Sequence, residues 1–187
     1  MTIPLPSATE LTALATALDA APHEERLAWM RSLGKRELMA LYEAAEGGGV
    51  DIDQFHAGPG EVLINYGQNS LPLFNQFQKR VVVNGEQVQG YNHQSMAWLT
   101  GPGHFVLRVS PDVEGEVWFD YTGIPVAEFD DFPALAPNDS GLSRFVYAGM
   151  IDIVRRVSRE VTIGAALKKG KMTGDYFALC RTRRGAE

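Results

Sequence analysis

The clearest structural signal in this chain is the stretch Lys79-Arg80-Val81-Val82-Val83-Asn84-Gly85-Glu86-Gln87-Val88-Gln89-Gly90-Tyr91. Two segments rich in β-forming residues flank an Asn-Gly pair, which is a strong short-range signal for a hairpin turn. Both central residues of such a turn take positive φ, a conformation that asparagine and glycine adopt most readily. We therefore predict antiparallel strands over 79–83 and 86–91, with Asn84-Gly85 as the turn.

Apolar residues alternate with polar ones through much of the chain beyond residue 60. This period of two predicts further strands, over 62–66, 95–99, 104–109, 116–121, 161–167 and 175–181. With the two strands of the hairpin, this makes about eight predicted strands. Between the sixth, 116–121, and the seventh, 161–167, cap-forming residues precede an apolar stretch with helical spacing. That pattern predicts one long helix over 141–159, with Asp152 and Arg156 paired on its edge. Short antiparallel strands favour a closed, barrel-like or strongly curved sheet, because closure removes exposed strand edges.

The N-terminal part of the chain follows a different pattern. Apolar residues recur at helical spacing over 7–46, in three short segments. A glycine-rich stretch over 47–60 follows and is the best candidate boundary. We predict an α+β chain in which a small helical bundle over 1–50 precedes a β-rich, barrel-like domain over 60–187.

The composition is that of a globular protein. The chain has 187 residues, of which 45% are hydrophobic and 21% are charged, both ordinary values for a folded domain. The only cysteine, Cys180, cannot form a disulfide within the chain. No apolar run is long enough to cross a bilayer. The N-terminus has neither a basic segment nor a continuous apolar segment, so we expect a cytoplasmic protein with no membrane span.

Charge and motif content limit the choice of partners. The net charge is −6, and it is spread as −5 over 1–60, −7 over 61–140 and +6 over 141–187. Although the C-terminal part is basic, the chain as a whole is acidic, and this does not favour nucleic acid as a partner. The four histidines have no paired spacing, so no metal site is predicted. No motif identifies a cofactor or sets an oligomeric state.

The first candidate site lies on the predicted strands 104–109 and 116–121. A register that brings the most apolar side chains together also places the remaining ones on a single face. That second face carries His104, Arg108, Glu116, Trp118 and Asp120. It is either a solvent-facing surface, with Arg108 paired to a carboxylate and covered by Trp118, or the wall of a cleft that binds a small ligand.

The second candidate site is Tyr91-Asn92-His93-Gln94, directly after the hairpin. Four consecutive side chains capable of hydrogen bonding indicate either a polar strand end or a ligand-binding segment. If Asn92 and His93 face the same cavity as Asp120, the amide orients a carbonyl group and the imidazole moves a proton. Catalytic roles are therefore assigned to His93, Asn92 and Asp120, and ligand contacts to Tyr91, Gln94, His104, Arg108 and Trp118.

Three hypotheses about function remain open at this point. The predicted barrel has the general shape of lipocalins, an analogy of architecture that does not by itself imply function. The first hypothesis is non-catalytic binding of a small apolar or amphipathic ligand in the barrel. The second is a cofactor-free isomerase, cyclase or hydrolase that uses His93, Asn92 and Asp120. The third is a protein-interaction module, with the N-terminal helices or the basic C-terminal hairpin as the contact surface.

Overall fold

The computed structural model describes residues 8–71, 75–95 and 97–182. Its helices are α1 Ala8–Ala20, α2 His23–Arg31, α3 Lys35–Ala44, α4 Ala97–Thr100 and α5 Ser143–Val146, with a 3-10 helix at Ile52–Phe55. Its strands are β1 Leu63–Asn69, β2 Gln76–Asn84, β3 Gln87–His93, β4 His104–Val109, β5 Val117–Asp120, β6 Met150–Arg156, β7 Val161–Lys168 and β8 Lys171–Arg181. The strands form a closed barrel in chain order. The predicted α+β class and the antiparallel, barrel-like or strongly curved sheet of about eight strands are confirmed, and the sheet is a closed barrel of eight strands.

The pairing register determines which side chains fill the barrel. Lys79 lies opposite Asn65 on β1 and opposite Asn92 on β3, while Phe119 lies opposite Leu107 on β4 and Asp152 on β6. Because directly opposed residues share one face of a sheet, a single set of alternate residues points inward around the barrel. Most of these residues are apolar, and an aromatic cluster forms the centre of the interior.

One end of the barrel is plugged by the segment that precedes β1. Val50 and Phe55 belong to the same core cluster as the inward-facing residues. The ring of Phe55 meets the ring of Phe119 edge-on, with centroids 5.0 Å apart. Asp51 accepts a hydrogen bond from the backbone N–H of Asp53 and caps the 3-10 helix. The interior of the barrel is therefore closed at this end by Val50 and Phe55.

The helices cover part of the outer wall. Leu18, Met30 and Leu41 from α1, α2 and α3 pack against outward-facing residues of β7 and β8, including Ile163 and Ala178. This second core lies on the other side of the same two strands. The proposed division between a helical segment over 1–50 and a barrel domain over 60–187 stays a prediction.

The β2–β3 turn differs in detail from its prediction. Asn84 pairs with Gln87, so the two central turn residues are Gly85 and Glu86, and Gly85 alone of these takes positive φ, at 62°. The turn between β7 and β8 has two consecutive positive φ angles, 51° at Lys169 and 75° at Gly170. The hairpin prediction was right, and the assignment of Asn84 to the turn centre was wrong by one residue.

Two predicted elements are wrong, and their effects on the strand count cancel. The predicted strand over 95–99 is replaced by α4, which spans Ala97–Thr100. The predicted helix over 141–159 is replaced by the short α5 and by β6. Gly149, with φ of 70°, separates α5 from β6. Within β6, Asp152 faces the interior and pairs with Lys79, not with Arg156.

None of the described helices is long and apolar enough to cross a membrane. The residues on which the expected cytoplasmic location rests, at 1–6, lie outside the described part of the chain, and so does Met96 of the predicted strand over 95–99.

Candidate functional site

A cavity of about 360 Å³ lies at the end of the barrel opposite the plug. Its base is formed by Lys79, Asn92, Tyr121 and Asp152, and its walls are mostly apolar and aromatic, with Phe77, Tyr147, Met150, Ala166, Tyr176 and Phe177 among them. Exposed side chains, Leu71 and Phe145, also belong to its lining. The cavity is therefore open to solvent at a rim that combines these apolar side chains with the polar or charged residues Lys168, Thr173 and Asp175.

The base of the cavity is built around the amine of Lys79, a residue that is 1% exposed. The amine donates hydrogen bonds to Oδ2 of Asp152, at 2.9 Å, to Oδ1 of Asn92, at 3.1 Å, and to the hydroxyl of Tyr121. An ammonium group has three N–H donors, so each donor has an acceptor. The Tyr121 hydroxyl lies 3.1 Å from Oδ2 of Asp152, to which it donates.

Aromatic rings enclose the same amine from several sides. The nitrogen of Lys79 lies between 4.6 and 5.6 Å from the centroids of the rings of Phe77, Phe105, Phe119, Tyr121 and Phe177. A cation held over a ring face is attracted to its negative quadrupole, more strongly where water is excluded. The rings and the Asp152 carboxylate together offset the cost of burying this charge.

Burial shifts the acid–base behaviour of the groups at the cavity base. It lowers the pKa of the Lys79 amine, and the neighbouring Asp152 carboxylate acts in the opposite direction. Burial raises the pKa of the Tyr121 phenol well above its usual range, and the Asp152 carboxylate raises it further. Tyr121 therefore stays protonated at neutral pH and acts as a hydrogen-bonding group.

A second layer of contacts positions the cavity base. The ring of Tyr147 stacks on the ring of Tyr121, with centroids 5.2 Å apart and planes 17° from parallel. Gln94 donates to the Tyr147 hydroxyl at 2.9 Å, and Asn92 donates to the Tyr121 hydroxyl at 2.9 Å. These contacts connect the ends of β3 and β5 to the segment that joins α5 and β6.

Two of the residues predicted from Tyr91-Asn92-His93-Gln94 reach the cavity. Asn92 and Gln94 line it. Tyr91 lies on the outer face of β3, opposite Arg80 and His104, and its ring packs on Phe132 with centroids 4.8 Å apart. His93 also follows the outward alternation of β3 and is exposed.

The face predicted from the strands 104–109 and 116–121 exists, and it is the outer face of the barrel. Arg108 lies opposite Trp118 and Val106 lies opposite Asp120. The guanidinium of Arg108 pairs with Asp120 at 2.9 Å, and the indole of Trp118 donates to Glu116. His104 is covered by the loop after β5, where Nε2 lies 3.2 Å from the carbonyl oxygen of Ala134.

The structure therefore does not bring together the three residues assigned catalytic roles. Asn92 faces the interior, whereas His93 and Asp120 lie on the outer face of the barrel wall. The physical reason is the period of two along each strand, which sends neighbouring side chains to opposite faces. The catalytic role of these residues stays a prediction.

Lys79, Tyr121 and Asp152 are not among the site residues predicted from the sequence. The sequence pattern places Lys79 at the start of a hairpin strand and Asp152 on the edge of a helix. The signal that identifies Lys79 is its place in the alternating set Phe77, Lys79, Val81, whose other members are apolar. A lysine at an inward position of such a set must have a buried partner.

The fold and the cavity define an eight-stranded antiparallel β-barrel protein, plugged at one end, with a buried lysine–aspartate pair beneath a cavity at the other. Within the described ranges, no three His, Cys, Asp or Glu side chains are grouped as metal ligands. The chain matches no known protein family, and neither curated proteins nor solved structures give a significant match.

Proposed function

We propose that this protein binds a small, mostly apolar molecule carrying one polar group, in the cavity at the open end of the barrel. The observation that supports this proposal is a cavity of about 360 Å³ with aromatic walls and a polar base. Small-molecule sites in proteins have volumes of roughly 300 to 1,000 Å³ and combine apolar walls with a few placed polar groups. The polar base gives the ligand an orientation, with its polar group toward Tyr121 and Asn92.

The rim of the cavity is consistent with an apolar ligand. Phe145 is 65% exposed and Leu71 is 46% exposed, and both belong to the lining. Exposed apolar side chains cost free energy in water, and when they surround a cavity they favour entry of an apolar molecule. At the base of the cavity, Asp152 already neutralises the Lys79 ammonium, whose N–H donors are all in use. The polar group of the ligand is therefore more favourably neutral than anionic.

The test uses a neutral fluorophore, N-phenyl-1-naphthylamine, whose emission rises in an apolar environment. We expect saturable binding to the wild-type protein and displacement by octanol, which has an apolar chain and one neutral polar group. Ala166 lies opposite Asp152 on the inner face and lines the cavity. Ala166→Phe fills the cavity and should weaken binding by about tenfold or more, equivalent to about 1.4 kcal/mol.

The matched control is Ala127→Phe, which makes the same chemical change at an exposed loop position. This variant should bind the fluorophore like the wild type. Equal affinities of the Ala166→Phe and wild-type proteins would place the fluorophore elsewhere and contradict the proposal. Thermal unfolding of both variants establishes that each is folded at the temperature of the binding measurement.

A further inference from the structure

The hydrogen bonding of Lys79 determines what a ligand can gain from it. Its three N–H donors are directed to Asp152, Asn92 and Tyr121, and the Asp152 carboxylate balances its charge. An anionic group placed at the base of the cavity would meet no unused donor on Lys79, and Asp152 would repel it. The reactive feature that remains at Lys79 is the nitrogen lone pair, which becomes available when one proton moves to the Asp152 oxygen 2.9 Å away.

We infer that Lys79 forms a Schiff base with the aldehyde group of a neutral, mostly apolar ligand held in the cavity. This inference rests on the proposed function, because the apolar body of the aldehyde must occupy the same cavity. It adds a chemical class of ligand and a covalent bond to a named atom, Nζ of Lys79. Lysine amines form Schiff bases with carbonyl compounds when they are kept neutral by a desolvated environment.

The reaction balances with the groups at the cavity base. Asp152 takes one proton from the Lys79 ammonium, and the neutral nitrogen attacks the carbonyl carbon, forming the C–N bond as the carbonyl π bond opens onto oxygen. Proton transfer from nitrogen to that oxygen gives the neutral carbinolamine. Asp152 then returns its proton to the hydroxyl group, which leaves as water as the nitrogen lone pair forms the C=N bond. The ammonium and the aldehyde thus become a protonated imine and one water molecule, with no change of net charge.

Neighbouring groups are placed to assist these steps. The Tyr121 hydroxyl donates to the Asp152 carboxylate, 3.1 Å away, in the resting site. Once Asp152 has taken up the proton from Lys79, this O–H can turn from Asp152 to the oxyanion that develops on the carbonyl oxygen. The Asn92 amide, 2.9 Å from the Tyr121 hydroxyl, holds that hydroxyl in position. Burial lowers the pKa of Lys79, which increases the share of neutral amine available for attack.

The same surroundings stabilise the product. A protonated imine carries the positive charge of the original ammonium, so it keeps the attraction of Asp152 and of the aromatic rings within 5.6 Å of the Lys79 nitrogen. Water is largely excluded from this nitrogen, because Lys79 is 1% exposed. Exclusion of water slows hydrolysis of the imine back to the aldehyde.

A second lysine provides an internal comparison. Lys168 also lines the cavity, where its amine donates to the backbone carbonyl oxygens of Phe145 and Val146, at 2.6 and 3.3 Å. It is partly exposed. Lys168 therefore has access to the same ligand without the enclosing rings that surround Lys79.

The experiment treats the full chain with octanal and sodium cyanoborohydride, which reduces an imine to a stable secondary amine. Intact mass spectrometry should show one added octyl group, equal to the mass of the aldehyde less one oxygen atom. Peptide mapping of the wild-type protein should place this group on Lys79. The adduct should persist in Lys168→Gln and be lost in the double variant Lys79→Met/Asp152→Leu, whose fold is checked by circular dichroism.

The mapping result on the wild type decides the inference even if the double variant does not fold. Absence of the octyl group from the Lys79 peptide, or its presence only on other lysines, would overturn the Schiff base. Displacement of N-phenyl-1-naphthylamine by octanol, without an octanal adduct, would overturn the covalent step and leave the proposed function intact. Failure of both measurements would remove both proposals.

Discussion

Lys79 and Asp152 meet across the full width of the barrel, with Nζ of the lysine 2.9 Å from Oδ2 of the aspartate. Their strands, β2 and β6, are separated by three strands in either direction around the closed sheet. The pair therefore connects opposite walls through the interior. The amide of Asn92 on β3 and the hydroxyl of Tyr121, the residue directly after β5, join the same network.

The first prediction concerns the energy of this ion pair. Lys79→Met leaves the Asp152 carboxylate buried without its cation, and we expect a loss of about 3–5 kcal/mol in the free energy of unfolding. The double variant Lys79→Met/Asp152→Leu removes both charges, and Tyr121 and Asn92 still have each other as hydrogen-bonding partners. It should be more stable than Lys79→Met alone. Urea unfolding of the four proteins in the double-mutant cycle gives the coupling energy.

A surface ion pair is the control for that cycle. Arg159 pairs with Asp19 at 3.1 Å, with 72% of the arginine side chain exposed. Arg159→Met should cost less than about 1 kcal/mol, because exposed ion pairs contribute little. A loss for Lys79→Met as small as that for Arg159→Met would contradict the burial argument.

The second prediction concerns a glycine that makes room for an aromatic ring. A Cβ atom at Gly164 would lie 2.2 Å from the ring of Phe177, inside the barrel. Gly164→Ala should therefore destabilise the protein by about 1–3 kcal/mol through overpacking. Phe177→Leu in the same chain should recover part of this loss, since the smaller side chain leaves space for the new methyl group. Thermal unfolding of the single and double variants measures both effects.

Gly49→Ala is the matched control for that substitution. The nearest atom to a Cβ at Gly49 is the Cα of Gly115, at 3.6 Å, which is an ordinary van der Waals contact. Its unfolding temperature should stay close to that of the wild type. If Gly164→Ala is equally well tolerated, the ring of Phe177 has moved aside at little cost and the packing argument fails.

The third prediction concerns pH. Burial lowers the pKa of His104 below its ordinary value, and hydrogen bonds to the backbone of Ala134 and Gly90 partly oppose this shift. As the pH falls through about 6.5, the unfolded chain takes up a proton before the folded chain does. Stability is therefore lost on acidification, in the interval between the unfolded pKa and the lowered folded pKa. The unfolding temperature should fall from about pH 7.5 to about pH 5.5.

The variant His104→Gln isolates the contribution of this residue to the pH dependence. Its unfolding temperature should fall less steeply over the same interval. Part of the slope should remain, because burial also lowers the pKa values of His23 and His93. Comparing slopes removes any constant cost of the substitution. A slope equal to that of the wild type would show that His104 protonates alike in the folded and unfolded chains.

The sequence predicted the fold where local signals and tertiary structure agree. The N-terminal helices and the hairpin around Gly85 follow from periodicity and turn chemistry. The stretch Met150–Arg156 misled the prediction, because an apolar run next to good cap residues fits a helix as well as a buried strand. Asp152 distinguishes the two alternatives only once Lys79 is known to lie opposite it inside the barrel.

The site was harder to predict than the fold, for a geometric reason. Asn92 and His93 are adjacent in sequence, yet one faces the cavity and the other faces outward. Lys79, Tyr121 and Asp152 are far apart in the chain and come together only when the barrel closes. The predicted pairing of two neighbouring strands identifies a shared face, as it did for Arg108 and Asp120, but does not say whether that face is inside or outside the barrel.

The last strand of the barrel also affects how the chain folds. β8 closes the sheet against β1, and its outward residues Ala178 and Cys180 belong to the core under the N-terminal helices. Neither core is complete until residues 171–181 are present. During synthesis, the N-terminal helices therefore emerge long before the surface that buries them. We expect this chain to acquire its stable structure only after β8 has left the ribosome. Until then the apolar faces of the N-terminal helices are unburied, and we expect them to depend on chaperones.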